Sequence, residues 1–309
     1  MTRLPHAKKS YGQNFLVDQG VLKKIVNAGE IEAGETILEI GPGTGILTEA
    51  LLNAGAKVIA VEADPELAEV MRKKFGARIE LIEGDILNVI LSEAKNLRRD
   101  PSPAIGGVRM TEGGYKLIAN IPYNITSSLL ENFLAHGPRP TRLVLMVQRE
   151  VADRLTARPG EMSVLAVMCQ LYAECRKVAN VPAGAFRPAP KVDSAIVRLD
   201  VRPLPLLAPH WKGEGSHARP PLKGGQSREP GSRFAGQGVD PEAVIQLAKA
   251  GFSSRRKQLH GNLARAGRES SENIKQILTD LGLPADVRAE VLTVNNWIRL
   301  FQSLRGLFS

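Results

Sequence analysis

The stretch Thr36-Ile-Leu-Glu-Ile-Gly-Pro-Gly-Thr-Gly45 constrains this chain more than any other, because an apolar run there breaks into three glycines and then opens a helix. Such a run reads as a buried strand, a tight loop and a helix start. Glycines let backbone N–H groups approach a ligand closely, and a helix N-terminus carries partial positive charge, so the turn suits a nucleotide. Strand, glycine loop and helix serve many cofactors, and the dinucleotide fingerprint G-x-G-x-x-G is not met: counted from Gly41, its third glycine falls on Ile46. That weighs against a nicotinamide oxidoreductase. The ligand has to be decided by what later strands offer at their carboxyl ends.

Those strands alternate with helices. A polar and basic lead at 8–17 runs into a helix that Asp18 caps, with Val21, Leu22, Ile25 and Val26 on its apolar face. Beyond the glycine loop a helix runs to Asn53, with Gly55 suited to its C-terminal cap, and residues 57–62 read as a second buried strand ending in an acid. Asp64-Pro65 then opens a helix with a capping side chain before a proline. Residues 79–82, 115–119 and 143–147 read as further strands, with Thr126 capping the helix between the last two and Leu129, Leu130, Phe133 and Leu134 facing inward. Helices follow from 150 and over 163–172, and strands at 175–181 and 194–201 flank a proline-rich loop without a helix. The expected fold is α/β: a Rossmann-like, mostly parallel sheet of seven strands, covered on both faces and carrying an antiparallel edge hairpin.

Two segments break the alternation. Residues 92–114 and 204–238 are rich in Pro, Gly, Ser and Arg and poor in aliphatic side chains, so burial cannot offset the entropy of ordering them; mobile insertions are expected. The second separates a large domain, 1–203, from a small helical one, 239–309, with helices starting at Asp240-Pro241, at Ser270 or Ser271, and over 294–304. A chain of 309 residues with 43% hydrophobic content is long enough for both cores.

Lys and Arg total 41 against 32 Asp and Glu, a net charge of +9 that favours a polyanionic partner, since each neutralised phosphate releases counterions. The two cysteines, Cys169 and Cys175, make no disulfide framework and have no metal-ligand spacing, so no metal site is expected. The N-terminal residues show no apolar signal region and no run reaches 18 apolar residues, which points to a cytoplasmic location and no membrane association.

In an open parallel sheet, ligands bind at the carboxyl ends of the strands. Glu62 lies about 20 residues past the glycine loop, the spacing at which an acid accepts hydrogen bonds from ribose hydroxyls. Asp85, after Gly84, is placed to accept from an adenine amino group, although Gly-Asp is also a common turn pair. The chemistry rests on Asn120-Ile-Pro-Tyr123. An adenine amine is a weak nucleophile because its lone pair is delocalised into the ring, so a site that alkylates it must accept hydrogen bonds from the NH2 and hold it out of conjugation. The Asn120 side-chain oxygen and a main-chain carbonyl at Ile121 or Pro122 supply such acceptors, and Tyr123 offers a plane on which a flipped base stacks. Phe186, in a loop with prolines at 182, 188 and 190, is stiff enough to cover a base and equally suited to anchor the hairpin in the core. Lys8, Lys9, Arg187, Lys191 and the run Arg255, Arg256 and Lys257 suggest a basic surface for RNA, although such runs are usually solvated helix ends. None of the five histidines is assigned a role.

With these residues in place the chain resembles the KsgA family of small-subunit (16S) rRNA adenine N6,N6-dimethyltransferases. The resemblance rests on Gly12-Gln-Asn-Phe-Leu16, Glu39-Ile-Gly-Pro-Gly-Thr-Gly45, Val61-Glu62, Gly84-Asp85, Asn120-Ile-Pro-Tyr-Asn124, Phe186-Arg-Pro-Ala-Pro-Lys-Val-Asp-Ser194 and Phe252-Ser-Ser-Arg-Arg-Lys-Gln-Leu259, and spans nearly the whole chain outside the two insertions. It implies a class I methyltransferase sheet, S-adenosylmethionine as donor, and two neighbouring adenosines near the 3′ end of the RNA as acceptors. It assigns donor contacts to Asn14, Leu16, Gly41, Gly43, Glu62, Asp85 and Asn120, and the target-base pocket to Asn120, Pro122, Tyr123 and Phe186. The partner it implies is the immature small ribosomal subunit, approached by a monomer. A large-subunit (23S) rRNA adenine methyltransferase of the antibiotic-resistance type shares Asn-Ile-Pro-Tyr and the Phe-x-Pro-x-Pro loop. A ribosome assembly factor acting mainly by RNA binding is a third reading.

Overall fold

The structure, a computed structural model, describes residues 7–8, 11–90, 104–105, 108–109, 114–136, 139–202, 240–254, 256–267 and 269–305. Its contacts divide the chain into two units, Met1–Arg202 and Pro203–Ser309.

In the first unit the order is β1 (Phe15–Leu16), α1 (Gln19–Gly29), β2 (Thr36–Ile40), α2 (Ile46–Asn53), β3 (Lys57–Glu62), α3 (Pro65–Phe75), β4 (Ile79–Glu83), α4 (helical at 86–90), β5 (Ala104–Ile105), β6 (Val108–Arg109), β7 (Lys116–Asn120), α5 (Thr126–Glu131), β8 (Arg142–Gln148), α6 (Arg149–Leu155), α7 (Val164–Tyr172), β9 (Ala173–Val181), β10 (Phe186–Arg187) and β11 (Ser194–Val201). Seven strands form one sheet in the order β4-β3-β2-β7-β8-β11-β9. The first five run parallel, and β11 is antiparallel to both β8 and β9, which makes the edge hairpin. From β2 the chain moves outward through β3 and β4, then returns to lay β7 on the other side of β2. The connections therefore diverge at β2 and β7, and a crevice opens above their carboxyl ends.

The side chains explain the layers. Asp18 accepts from the Val21 amide at 2.9 Å and starts α1, whose Val21, Leu22, Ile25 and Ala28 pack with Leu47 and Leu51 of α2 on one sheet face, against Ile37, Val58, Ala60, Ile118, Val144 and Met146. The period of two puts Leu38, Leu117 and Leu145 on the opposite face, where they too are fully buried. The start of α5 differs from expectation: a short turn at Tyr123–Ile125 precedes it, Thr126 is its first residue, and the buried Thr126 hydroxyl caps nothing. In 92–114, β5 and β6 pair antiparallel and Ile105 is fully buried, so part of this segment is packed where its composition suggested only mobile chain. The rest of it up to 113, and all of 204–238, lie outside the described residues.

At the amino ends of the strands, away from the crevice, Arg198 joins Glu30 and Asp200, and Arg142 reaches Glu30 at 2.9 Å and Asp200 at 2.6 Å. Arg198, and after it Arg142, holds the Glu30 carboxyl down at about 2 against an ordinary 4.5. A carboxylate whose pKa falls on folding stabilises the fold above its unfolded value, and that contribution disappears as pH drops from 4.5 toward about 2. Urea midpoints measured from about pH 5 to about pH 3 should therefore fall more steeply for the wild type than for Glu30→Gln. Parallel curves would refute this.

The second unit is helical: α8 (Pro241–Gly251), α9 (Leu259–Arg265), α10 (Ser271–Asp280) and α11 (Val294–Arg305). Asp240 and Ser270 cap α8 and α10, and Trp297, Leu300 and Leu304 of α11 are buried, with Phe301 only half-buried. A Cβ on Gly251 would run into the Trp297 ring and stand 2.8 Å from Leu259, so the helix lies flat on the indole. Asn262, 1% exposed, donates to the carbonyls of Gly251 at 2.6 Å and Ser254 at 3.0 Å, which shapes the α8–α9 turn. No helix among the described residues is long and apolar enough to cross a membrane.

Candidate active site

The crevice holds a cavity of about 430 Å³, within the roughly 300–1,000 Å³ usual for small-molecule sites. Five stretches line it: 11–16, the loop after β2, the end of β3, Gly84-Asp85 after β4, and 120–125 after β7.

The loop turns through Gly41, Gly43 and Gly45, all at positive φ. Gly43 (φ +58°) donates its N–H to Glu62 Oε2 at 3.1 Å, and a Cβ there would stand 3.3 Å from the Phe15 ring, so only glycine lets the 11–16 stretch lie on the loop. Gly45 (φ +75°) faces the α3 side chains Phe75 and Met71 instead. It supplies the close packing that the dinucleotide fingerprint assigns to a third glycine, one position earlier, and this explains why Ile46 is tolerated.

At the end of β3, Glu62 is 5% exposed, and its Oε1 accepts from the Asp64 amide at 2.9 Å while Oε2 takes Gly43. Burial pushes its carboxyl pKa up. Each oxygen keeps a free lone pair, so the fixed carboxylate can still accept from two neighbouring hydroxyls. Asp85 is exposed and accepts from the Leu87 amide at 2.9 Å, which caps α4 and aims the carboxylate from the cavity wall. Glu39 also lines the cavity, at 1% exposure, and accepts the Thr48 hydroxyl at 2.6 Å. Sequence reasoning passed over it; the available signal was an acid in the middle of an otherwise apolar strand.

After β7, Asn120 Nδ2 donates to the Asn14 carbonyl at 3.2 Å. A carbonyl only accepts, so the amide must face it with nitrogen, and Oδ1 is left as an acceptor. The Pro122 carbonyl already accepts from the Ile125 amide at 3.3 Å, which favours Ile121 as the second acceptor of the pair considered above. The Tyr123 hydroxyl shares a 2.6 Å hydrogen bond with Ser194 Oγ at the start of β11, and burial raises its pKa. That bond pins the phenol ring at the cavity wall.

A strap from the N-terminal side forms one wall of the cavity. Lys8 Nζ reaches Asp64 and Glu66, each at 2.9 Å, and Gln13 Nε2 donates to Asp64 Oδ2 at 2.9 Å. Although Asp64 is buried, Lys8 and then Gln13 hold its carboxyl below the ordinary range. Leu16 pairs with Phe186 across β1 and β10.

One cavity thus contains Asn14, Leu16, Gly41, Gly43, Glu62, Asp85, Asn120, Pro122 and Tyr123. Two expectations need correction. Phe186 does not line the cavity; it is fully buried, in the core with Leu22 and Ile25, because its pairing with the strap turns the ring inward. Lys8 is committed to two carboxylates and acts as a clasp. Arg256 and Lys257 are exposed in the α8–α9 turn, not in a helix. Arg187 and Lys191 are exposed, with Arg187 donating to the Gly184 and Phe186 carbonyls, and Lys9 and Arg255 lie outside the described residues.

The profile of the ribosomal RNA adenine dimethylase family matches residues 5–213 of the chain. Ribosomal RNA small subunit methyltransferase A of Thermosynechococcus vestitus is 38% identical over 309 residues, covering 97% of this chain and 98% of its own. The protein of the same name from Acaryochloris marina is 36% identical, covering 97% and 98%. Among solved structures, a dimethyladenosine transferase from Plasmodium falciparum is similar with a TM-score of 0.67 and 25% identity, covering 94% of this chain and 98% of its own. The 23S rRNA methyltransferase ErmE reaches 0.65 at 25% identity, covering 94% and 100%.

Proposed function

The chain belongs to the ribosomal RNA adenine dimethylase family, and from that premise we propose that it dimethylates the N6 amines of two adjacent adenosines near the 3′ end of small-subunit (16S) rRNA by direct methyl transfer from S-adenosylmethionine. The observation that carries the site assignment is the orientation of Asn120, whose amide nitrogen is held by Asn14 and whose oxygen is left to accept from an amine in the same cavity as Glu62 and the glycine loop.

The residues fit the donor. The glycine loop brings main-chain groups to the cavity surface, Glu62 has lone pairs for a ribose diol, and Asp85 stands beyond it for an adenine amine. S-adenosylmethionine, when bound, supplies a methyl group on a positively charged sulfonium. The chain's own residues act on the acceptor. Asn120 Oδ1 and the Ile121 carbonyl accept from the two N–H groups of the target amine, which draws its lone pair out of the ring, and Tyr123 stacks on the base. No side chain is needed as a base before the methyl arrives, since the amine becomes acidic only then. After the first transfer a single N–H remains, so one of the two acceptors goes without a partner in the second round.

The RNA-binding role of Arg187, Lys191, Arg256 and Lys257 belongs to the same proposal, supported by their exposure and the net charge of +9. The acting form is a monomer on the immature small subunit, in the cytoplasm, where free Cys169 and Cys175 suit a reducing compartment. The likeness to ErmE favours one second reading, a 23S RNA target. Incubation with labelled donor and both subunits from cells lacking this enzyme separates the readings. Label in dimethyladenosine of the small-subunit RNA is expected; label in 23S RNA would redirect the assignment, and no label in either would refute it.

A further inference from the structure

Two carboxylic acids share the cavity, and the structure treats them differently. Glu62 has both oxygens tied to main-chain N–H groups, of Asp64 and Gly43. Glu39 has one hydroxyl, that of Thr48, on Oε2 and is the more deeply buried of the two. Among the described residues neither acid forms an ion pair. The groups that face Glu39 are Thr48 of α2, Glu62 of β3 and Lys74 of α3. Lys74 donates to the carbonyls of Thr44 at 3.3 Å and Gly45 at 3.4 Å, on the outer side of the loop. Asp64, next beyond Glu62, is neutralised by Lys8.

A buried acid without a cation takes up a proton, and a second carboxylate in the same cavity makes this more so. Burial, and after it the charge of Glu62, outweighs the Thr48 hydrogen bond and the Lys74 charge, so that the Glu39 carboxyl is pushed up to about 8. Such a group is neutral at neutral pH without a cation beside it, yet it stands in the wall of the cavity proposed above to take the positively charged donor.

We propose that Glu39 is a proton-exchanging counter-ion of the donor site, neutral until a cationic ligand enters and ionised while that ligand is bound. The proposal rests on the donor-pocket reading above and goes beyond it by giving the pocket a charge response. On binding, the Glu39 O–H bond breaks, its electron pair stays on the carboxylate, the proton leaves to solvent, and the ligand keeps its own charge. The sulfonium donor gains from the new carboxylate. The thioether product, with one positive charge fewer, gains less. Glu39 is thereby a positioning and specificity residue that favours donor over product without touching the target base.

Calorimetric titration of the full chain with S-adenosylmethionine, in phosphate and in Tris buffer near pH 7, reads this directly, because a released proton adds the buffer's ionisation heat to the binding heat. Close to one proton is expected from the wild type, and close to none from Glu39→Gln, which keeps the Thr48 contact and has nothing to release. Below neutral pH the wild-type affinity should fall by up to about tenfold per pH unit relative to that variant. Binding with the same proton count in both proteins overturns the proposal and leaves the donor pocket standing; no binding overturns both. If Glu39→Gln fails to fold, Thr48→Val supplies the second test. Loss of the hydroxyl that favours the anion should move the wild-type pH profile upward, and an unmoved profile overturns the proposal.

Discussion

Asn120→Ala is expected to slow methyl transfer by roughly 10²–10³-fold while changing donor affinity far less, because what it removes is an acceptor that matters most as the amine leaves conjugation with its ring. Asn120→Asp is the sharper variant. The Asn14 carbonyl faces the amide nitrogen at 3.2 Å, and a carboxylate can only present an oxygen there. Two acceptors would then oppose each other, and the strap would loosen as the rate falls. Single-turnover rates with a saturating donor, set beside calorimetric donor affinities, separate the two effects. An alanine variant within about threefold of the wild-type rate would mean that Asn120 does not hold the target amine.

The second large effect concerns stability. Gly45→Ala is expected to cost about 2–5 kcal/mol, from about 1–2 kcal/mol for a side chain in the left-handed region and about 1–3 kcal/mol for overpacking. A Cβ at this position would stand 2.9 Å from Phe75 Cζ and 3.0 Å from Met71 Sδ, both on fully or nearly fully buried side chains that have nowhere to go. Gly34→Ala is the control. Its φ of +81° carries the conformational cost, yet nothing lies within 4 Å of the added carbon. Urea unfolding should place Gly34→Ala about 1–2 kcal/mol below the wild type, the conformational cost alone, and Gly45→Ala lower by about 1–3 kcal/mol more. Equal losses would show that backbone strain alone, and not the approach of α3, makes the third glycine necessary. A loss of this size is a large share of the roughly 5–15 kcal/mol that holds a domain together.

The sheet and its ligand end were readable because the signals behind them are local. Alternation of buried strands and capped helices depends on neighbours within a few residues, and Asp18 and Asp64 cap the helices they were expected to cap. Gly41, Gly43, Glu62, Asp85 and Asn120 meet in one cavity because each stands at the carboxyl end of a strand, and a parallel sheet brings those ends together. Glu62 needed only the spacing from the loop, and Asn120 needed only its place after an apolar run.

What only the tertiary structure decided is which surface a given side chain meets. Phe186 and a base-stacking aromatic have the same local sequence; the pairing of β10 with β1 turned this ring into the core. Lys8 has the sequence context of a phosphate ligand, but Asp64 and Glu66, brought over it by α3, claim its charge. Glu39 looked like one polar residue in a strand until α2 and β3 enclosed it with Thr48 and Glu62. Local sequence determined the sheet, the loop and the strand-end acids, since propensity and capping act over one or two turns. The long-range meetings that set burial and charge pairing, and with them the roles of Phe186, Lys8 and Glu39, exist only once the chain has folded.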